Sequence, residues 1–311
     1  MKNLIPYFIQ QQYHKGRFRG TYNAASCFVD ISGFVELTAT LMQHEKDGAE
    51  VLTSVLNSIF NPIVRYVYEH GGMISTFAGD AFTALFPIRR KDAHLHAVQV
   101  AFFVNSFFEE NKIVKTKYGD FEMGAKVGLS YGQVDWGILG KDDKYTFFFR
   151  GEAVDACAES EHLAEKGDAI ADQRIMNLIH DHVEAEVLGS HFKLQSFSSS
   201  LPARKLRPAK LDQEVLNYFV LDDVVDLTEM AEFRNVCSIF LSLDERGDYS
   251  TLNEFVSKTL QLASEYRAYF NKVDFGDKGG VILILMGAPV AHERNVERAL
   301  DFILALQSVP T

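Results

Sequence analysis

CFVDISGF, residues 27–34, is the stretch that decides the predicted fold. Its apolar and β-favouring residues predict a buried strand, and the strand ends before Gly33, where glycine permits a tight turn and a close backbone approach. A second stretch, TFAGDAF at residues 76–82, places Asp80 at the tip of a hairpin between two short predicted strands. Asp30 and Asp80 therefore both stand at strand ends beside small residues, which raises the question of whether they meet.

The segments around these two stretches predict alternating strands and helices. An amphipathic helix is predicted from about Gly48 to the HGG at 70–72, and another over 93–108. Long strands follow, then a helix that ends at Gly167, and EVLNYFVL at 214–221 predicts one more strand that closes the first domain. This order is typical of an α/β (α+β) sandwich close to the ferredoxin-like βαββαβ core.

The C-terminal part of the chain repeats the N-terminal part with weak identity. CSIFLSL is similar to SCFVDIS, and NKVDFGDKGGVILILMGAP is similar to STFAGDAFTALFP. We therefore predict an N-terminal extension over residues 1–21, a complete first domain over 22–227 and a partial second copy over 228–311. The second copy lacks counterparts of the last strands of the first copy, so we expect the chain to be cut short. Further regulatory domains could follow at the C-terminal side.

Composition excludes several classes of protein. A net charge of −11 argues against nucleic acid as the main partner, because phosphate neutralisation needs a basic surface. Cys27, Cys157 and Cys237 lie far apart without metal-ligand spacing, which favours a reducing compartment over a disulfide framework. The sequence shows neither a signal peptide nor an apolar run long enough to span a membrane, so we expect a cytoplasmic protein.

Two carboxylates brought together repel each other unless a cation lies between them. Hard divalent cations such as Mg²⁺ prefer oxygen ligands and keep phosphate oxygens as partners. The turn ISGF before a helix offers backbone N–H groups, which suit a phosphate. A lone aspartate beside glycine is more often a simple turn residue, and the residues alone leave that alternative open for Asp30 and for Asp80.

FVDISGF, GG followed by FAGDA, and GLSYGQV together resemble the class III nucleotide cyclase catalytic domain. The tandem order is similar to that of the soluble, bicarbonate-responsive adenylyl cyclases and their bacterial relatives. The resemblance covers about residues 22–220 and, for a partial second domain, 233–311. It implies an active site between two cyclase domains that holds two Mg²⁺ (or Mn²⁺) ions. The implied metal ligands are Asp30, Asp80 and the Ile31 carbonyl; the implied phosphate contacts are Gly33, Phe34 and Lys126.

The partner domain in this family supplies a lysine for the purine and polar groups for the transition state. Lys272 fills the lysine position of the second copy, whereas Ser242 and Gly276 stand at its metal positions. The corresponding positions of the first copy hold none of the expected residues: they are Thr76, Phe148, Asp155 and Glu159. The resemblance therefore implies two complementary halves, and the absence of basic residues at Thr76, Ala158 and Glu159 argues against control by bicarbonate.

Together these features predict an adenylate cyclase that converts ATP to 3′,5′-cyclic AMP and pyrophosphate, with ATP favoured over GTP by Lys272. We expect the two domains to pair within one chain, and the fragment to be inactive alone, because the remaining groups of the second half-site would follow Thr311. Two alternatives stay open. One is a catalytically inactive, nucleotide-binding pseudo-cyclase module. The other is a plain ferredoxin-like dimerisation module.

Overall fold

The computed structural model describes residues 5–88, 92–203, 212–220, 232–243, 248–276, 279–291 and 293–309. The strands are β1 (Arg19–Ser32), β2 (Met73–Ala78), β3 (Ala81–Pro87), β4 (Ile113–Thr116), β5 (Gly119–Glu122), β6 (Gly124–Lys141), β7 (Lys144–Arg150), β8 (Ala169–Asp172), β9 (Val183–Leu188), β10 (His191–Phe197), β11 (Cys237–Leu243), β12 (Tyr269–Gly276) and β13 (Gly279–Met286). The helices are α1 (Tyr7–His14), α2 (Phe34–Met42), α3 (Glu45–Glu69), α4 (Ala93–Glu110), α5 (Glu152–Glu161), α6 (Gln173–Ile179), α7 (Gln213–Phe219), α8 (Tyr249–Glu265) and α9 (Asn295–Leu306).

An eight-stranded mixed sheet organises the first unit. Its order is β2-β3-β1-β6-β8-β10-β9, with β7 paired to the far half of β6. Every pair is antiparallel except β6 with β8. This mixed sheet, alternating with helices, confirms the predicted α/β fold class.

Alternation along β1 gives the sheet two different faces, because successive side chains of a strand point to opposite sides. Cys27, Val29 and Ile31 are buried in one cluster with residues of α2, α3 and α4. Ser26, on the other face, donates its hydroxyl to the carbonyl oxygen of Ala153 in α5 at 2.5 Å. Asp30 alternates with Val29 and Ile31, and therefore lies on the α5 face of the sheet.

One predicted strand is wrong. Of the residues predicted as a strand, 214–221, the first six lie in helix α7. The Asp212 side chain accepts hydrogen bonds from the backbone N–H groups of Glu214 at 3.0 Å and Val215 at 3.3 Å, which caps the helix. Val215 and Leu216 are buried. A short apolar run fits a strand or a helix equally well, so here the aspartate cap decides the structure.

The second unit has the order strand, helix, hairpin, helix, which is also the order of β1, α3, β2–β3 and α4. Its three strands form an antiparallel sheet, β11-β13-β12, with α8 and α9 as the two helices. The predicted boundary at 227 lies outside the described residues, and β1 begins at Arg19, inside the predicted N-terminal extension. Among the helices that the structure describes, none is both long and apolar enough to span a membrane.

Candidate metal and phosphate site

Asp30 and Asp80 lie at the same end of the sheet, Asp30 in β1 and Asp80 in the turn that precedes the neighbouring strand β3. Asp30 pairs with Ala81 in the register of β1 and β3, and Asp80 directly precedes Ala81 at the tip of the β2–β3 hairpin. Burial raises the pKa of Asp80, a hydrogen bond to its own backbone opposes that rise, and the charge of Asp30 raises the pKa further. The two carboxylates are thus close enough for their charges to interact.

This pair suits a hard divalent cation, which would remove the repulsion between the two charges. Mg²⁺ is commonly bound through one or two protein carboxylates together with substrate phosphates and water. In the described ranges, no group of three or more His, Cys, Asp or Glu side chains is arranged to hold a metal ion. The two carboxylates alone fit an ion whose remaining ligands are phosphate and water oxygens. The Ile31 carbonyl follows Asp30 in β1 and stays a predicted ligand.

The predicted turn after β1 is at Gly33, the N-cap residue that precedes α2. Gly33 has a φ of +95°, and a Cβ atom there would lie 2.3 Å from the backbone oxygen of Glu122. Phe34 is the first residue of α2 and packs partly against the core. The first N–H groups of a helix lack helical acceptors and attract anions. Binding of phosphate by this turn remains a prediction.

Replacing Gly33 by alanine is expected to lower the free energy of unfolding by about 2–4 kcal/mol, as the sum of left-handed backbone strain and overpacking. Gly167→Ala is the matched control, because Gly167 has a similar φ of +92° and a Cβ there meets nothing within 4 Å. The control is expected to lose only the strain, about 1–2 kcal/mol. Urea unfolding of both variants measures the difference, and an equal loss would show that the contact with Glu122 costs nothing.

Lys126 lies at the same site. It pairs with Asp30 in the register of β1 and β6, and directly opposite residues of antiparallel strands share a face of the sheet. Its Nζ atom lies 3.7 Å from Oε1 of Glu161, whose side chain is only 6% exposed. Burial raises the pKa of Glu161, the charge of Asp30 raises it further, and Lys126 opposes both effects. Sequence reasoning missed Glu161, which looks like an ordinary polar residue inside the helix that was predicted to end at Gly167; α5 ends at Glu161 instead.

Lys272 reaches the first unit from β12. Its Nζ atom donates to the Thr76 hydroxyl at 3.1 Å and to the Phe77 carbonyl oxygen at 2.6 Å. It also forms a hydrogen-bonded ion pair with Asp274. Thr76 and Phe77 belong to β2, whose hairpin carries Asp80. The structure therefore places the predicted purine lysine of the second unit beside the hairpin that bears one predicted metal ligand.

Further apolar and polar contacts join the two units. The rings of Phe148 and Phe275 lie 5.2 Å apart, and the Arg150 guanidinium lies 5.4 Å from each ring centroid. The Tyr249 hydroxyl donates to the Ile138 carbonyl oxygen at 2.5 Å. Phe148, at a predicted purine-side position of the first unit, is thus buried against the second unit instead of lining an open pocket.

The strand register supports the predicted match of Ser242 with Asp30. A bulge directly precedes Thr76 in β2 and Lys272 in β12, and these two residues pair with Thr83 and Leu283. Counted from these pairs, Val281 matches Ala81, and Val281 pairs with Ser242 as Ala81 pairs with Asp30. The hairpin of the second unit is longer by two residue pairs and extends to Gly276 and Gly279, so Gly276 lies within β12 and not at a hairpin tip as Asp80 does.

Three comparisons place this geometry among known proteins. The sequence profile of the adenylate and guanylate cyclase catalytic domain matches residues 19–191. The rat protein named adenylate cyclase type 10 is 30% identical over 155 residues, which are 48% of this chain and 9% of the rat protein. The human protein of the same name is 29% identical over 159 residues, which are 49% of this chain and 10% of the human protein. The matched segment thus spans about a tenth of the length of these curated relatives.

Two solved structures are similar in fold. The adenylyl cyclase CyaB from P. aeruginosa is 21% identical with a TM-score of 0.47, and the match covers 57% of this chain and 96% of that one. A bacterial light-regulated adenylyl cyclase is 20% identical with a TM-score of 0.49, and the match covers 65% of this chain and 60% of that one.

Proposed function

Because the chain belongs to the family of adenylate and guanylate cyclase catalytic domains, we propose that it is an adenylate cyclase, which converts ATP to 3′,5′-cyclic AMP and pyrophosphate. The position of Lys272 carries this proposal. A cation from the second unit lies against the β2–β3 hairpin of the first, and that hairpin presents Asp80 close to Asp30. One unit thus offers carboxylates for a metal ion and the other offers a donor for a base.

The metal half of the proposed site consists of Asp30, Asp80 and the Ile31 carbonyl, which would hold two Mg²⁺ or Mn²⁺ ions. When bound, these ions would lower the pKa of the ribose 3′-hydroxyl and stabilise negative charge on the triphosphate and the leaving pyrophosphate. The backbone of Gly33 and Phe34 would bind phosphate oxygens at the start of α2, with Lys126 as a further cation. These contacts would orient the 3′ oxygen in line with the α-phosphorus, and such positioning supplies a large share of the rate.

The base half of the proposed site is Lys272. An ammonium group only donates hydrogen bonds, and the N1 atom of adenine is an acceptor, whereas N1 of guanine carries a hydrogen. A lysine at this position therefore favours ATP over GTP.

The contacts between the units support pairing of the two domains within one chain. Leu139 and Phe148 of the first unit are buried in one cluster with residues of the second unit: Val256, Ile282 and Phe302. Gly140 donates its backbone N–H to the Asn253 side chain at 2.8 Å. We propose a first domain over residues 22–227 that supplies the metal half, and a partial second domain over 228–311 that supplies the base half.

Product analysis tests the proposed activity. The full-length protein is incubated with ATP or GTP and Mn²⁺, and products are identified by liquid chromatography and mass spectrometry. We expect cyclic AMP to form with a kcat/KM for ATP about 5- to 30-fold above the kcat/KM for GTP, because one mismatched hydrogen bond is worth about 1–2 kcal/mol. An equal rate with GTP would contradict the base assignment. Metal-dependent ATP binding without turnover would favour the pseudo-cyclase module, which the existing bonds of Lys272 to Asp274 and Thr76 would also suit.

A further inference from the structure

Glu161 is the last residue of α5, and it is buried with only 5% of its surface exposed. Burying a carboxylate is costly unless a cation or hydrogen bonds compensate for the lost water. The ion pair with Lys126 supplies such a cation. Because Glu161 pairs with a predicted phosphate-binding lysine, its carboxylate is a candidate for a role other than packing.

Gly128 explains why the end of α5 lies so close to Lys126. A Cβ atom at Gly128 would lie 2.0 Å from the carbonyl oxygen of Cys157 and 2.4 Å from the backbone nitrogen of Glu161. Lys126 and Gly128 lie two residues apart in β6, so their side chains face the same side of the sheet. The missing side chain at Gly128 therefore lets the helix end rest on the strand, directly beside Lys126.

The geometry of the ion pair leaves Lys126 able to bind another anion. The 3.7 Å between Nζ and Oε1 exceeds a normal hydrogen-bond length of about 2.7–3.2 Å, so charge holds the ammonium in place. An ammonium has three N–H donors, and these can still be offered to a phosphate oxygen. Because Asp30 lies opposite Lys126 across β1 and β6, a second carboxylate shares this face of the sheet with the lysine.

We propose that Glu161 is a positioning residue of the cyclase site, which holds Lys126 beside Asp30 in the orientation from which it binds the triphosphate. This inference rests on the proposed function. Lys126 keeps Glu161 as its partner when nucleotide binds, because its departure would leave a buried carboxylate unpaired. Glu161 therefore affects the orientation of the phosphates more than the affinity for nucleotide.

Lysine labelling tests the contact without any turnover. Glu161→Gln removes the charge but keeps the shape, and Glu165→Gln makes the same change at an exposed residue of the loop that follows α5. Lys126 is acetylated with an N-hydroxysuccinimide ester and followed by mass spectrometry, with exposed Lys46 as the internal reference. We expect Lys126 to react at least about threefold faster in Glu161→Gln and at the wild-type rate in Glu165→Gln, because an ammonium freed from its carboxylate reaches solvent more often. Equal rates in all three proteins would overturn the proposal.

Kinetics separates positioning from a structural role. In the full-length protein, Glu161→Gln is expected to lower kcat about tenfold with KM within about twofold, because misplaced phosphates lose near-attack geometry. Glu161→Asp keeps the charge and is expected to retain part of kcat, which also covers the case that the Gln variant folds poorly. In a Lys126→Met background, Glu161→Gln is expected to add less than a twofold effect.

Each kinetic outcome has a definite meaning. A further tenfold loss in the Lys126→Met background would overturn the proposal, because Glu161 would then act independently of Lys126. If kcat falls in proportion to the melting temperature in both Glu161 variants, the loss reflects instability, and this result would also overturn the proposal. If the wild-type protein forms no cyclic nucleotide, the proposed function fails, and the labelling result alone still decides whether Glu161 holds Lys126.

Discussion

Asp30→Asn and Asp80→Asn are each expected to lower cyclic AMP formation by the full-length protein at least about 1000-fold. Each change removes an anionic ligand of the proposed metal ions, and metal ions supply several kcal/mol of transition-state stabilisation. The asparagine side chain keeps the shape of aspartate, so neighbouring Ala81 and the hairpin have no steric reason to move. Initial rates at saturating Mn²⁺ and ATP measure the loss.

Stability distinguishes this loss from unfolding. The pKa of Asp80 is raised in the folded state, so the free energy of unfolding falls as pH rises through that pKa. A neutral asparagine avoids this cost at pH 7, and Asp80→Asn is therefore expected to melt at or slightly above the wild-type temperature without metal. Asp181→Asn, at a side chain that is 82% exposed, is the charge-matched control and should keep full activity. Normal turnover in either site variant would refute the metal assignment.

Lys272→Met is expected to lower kcat/KM for ATP about 100-fold. The substitution keeps an apolar stem of similar length but removes the ammonium that would bind the adenine, and it takes a partner from half-buried Asp274. It also removes the bonds to Thr76 and Phe77 that join β12 to β2. Steady-state rates with ATP and GTP measure the effect, and the preference for ATP over GTP is expected to disappear with it.

Lys258→Met provides the control for Lys272, because Lys258 pairs with Glu254 on the surface of α8. It should keep both the rate and the preference for ATP. Mixing the Lys272→Met and Asp80→Asn proteins then tests pairing within one chain. Sites built within a chain stay defective in the mixture, whereas recovery of activity would mean that units of different chains pair.

Local signals made the strand ends of the first unit predictable. Apolar runs and glycine turns predicted β1 and the β2–β3 hairpin, and these placed Asp30 at the end of a strand and Asp80 at the tip of a hairpin. The predicted resemblance to a nucleotide cyclase catalytic domain is confirmed over residues 19–191. Such signals work because each depends on a few consecutive residues and not on a distant contact.

Long-range packing hid the remaining features. Burial of Glu161 depends on Gly128, which belongs to a strand remote in sequence from the end of α5. The longer hairpin of the second unit was hidden for a different reason. Two added residues in each strand keep every side chain on its original face, so the hydrophobic pattern does not reveal them. Only the hydrogen-bonded register of β12 and β13 shows that this hairpin extends to Gly276 and Gly279.

The sequence predicted the role of Lys272 but not the residues that it contacts. Its lysine-for-purine role followed from the resemblance, but its bonds to Thr76 and Phe77 depend on how the two units meet. The burial of Phe148 against Phe275 depends on the same interface. Contacts between two units leave no periodic pattern in the sequence of either unit. For this reason the sequence predicted neither the bonds of Lys272 nor the burial of Phe148.

Manganese binding tests the central claim, that Asp30 and Asp80 form a metal site, without requiring turnover. The full-length protein and the Asp30→Asn/Asp80→Asn double variant are titrated with Mn²⁺ in the presence of a non-cyclisable ATP analogue. Free Mn²⁺ is measured by electron paramagnetic resonance. The wild-type protein is expected to bind two ions beyond those held by free analogue, and the double variant is expected to bind none of them. Identical titrations of the two proteins would contradict the account.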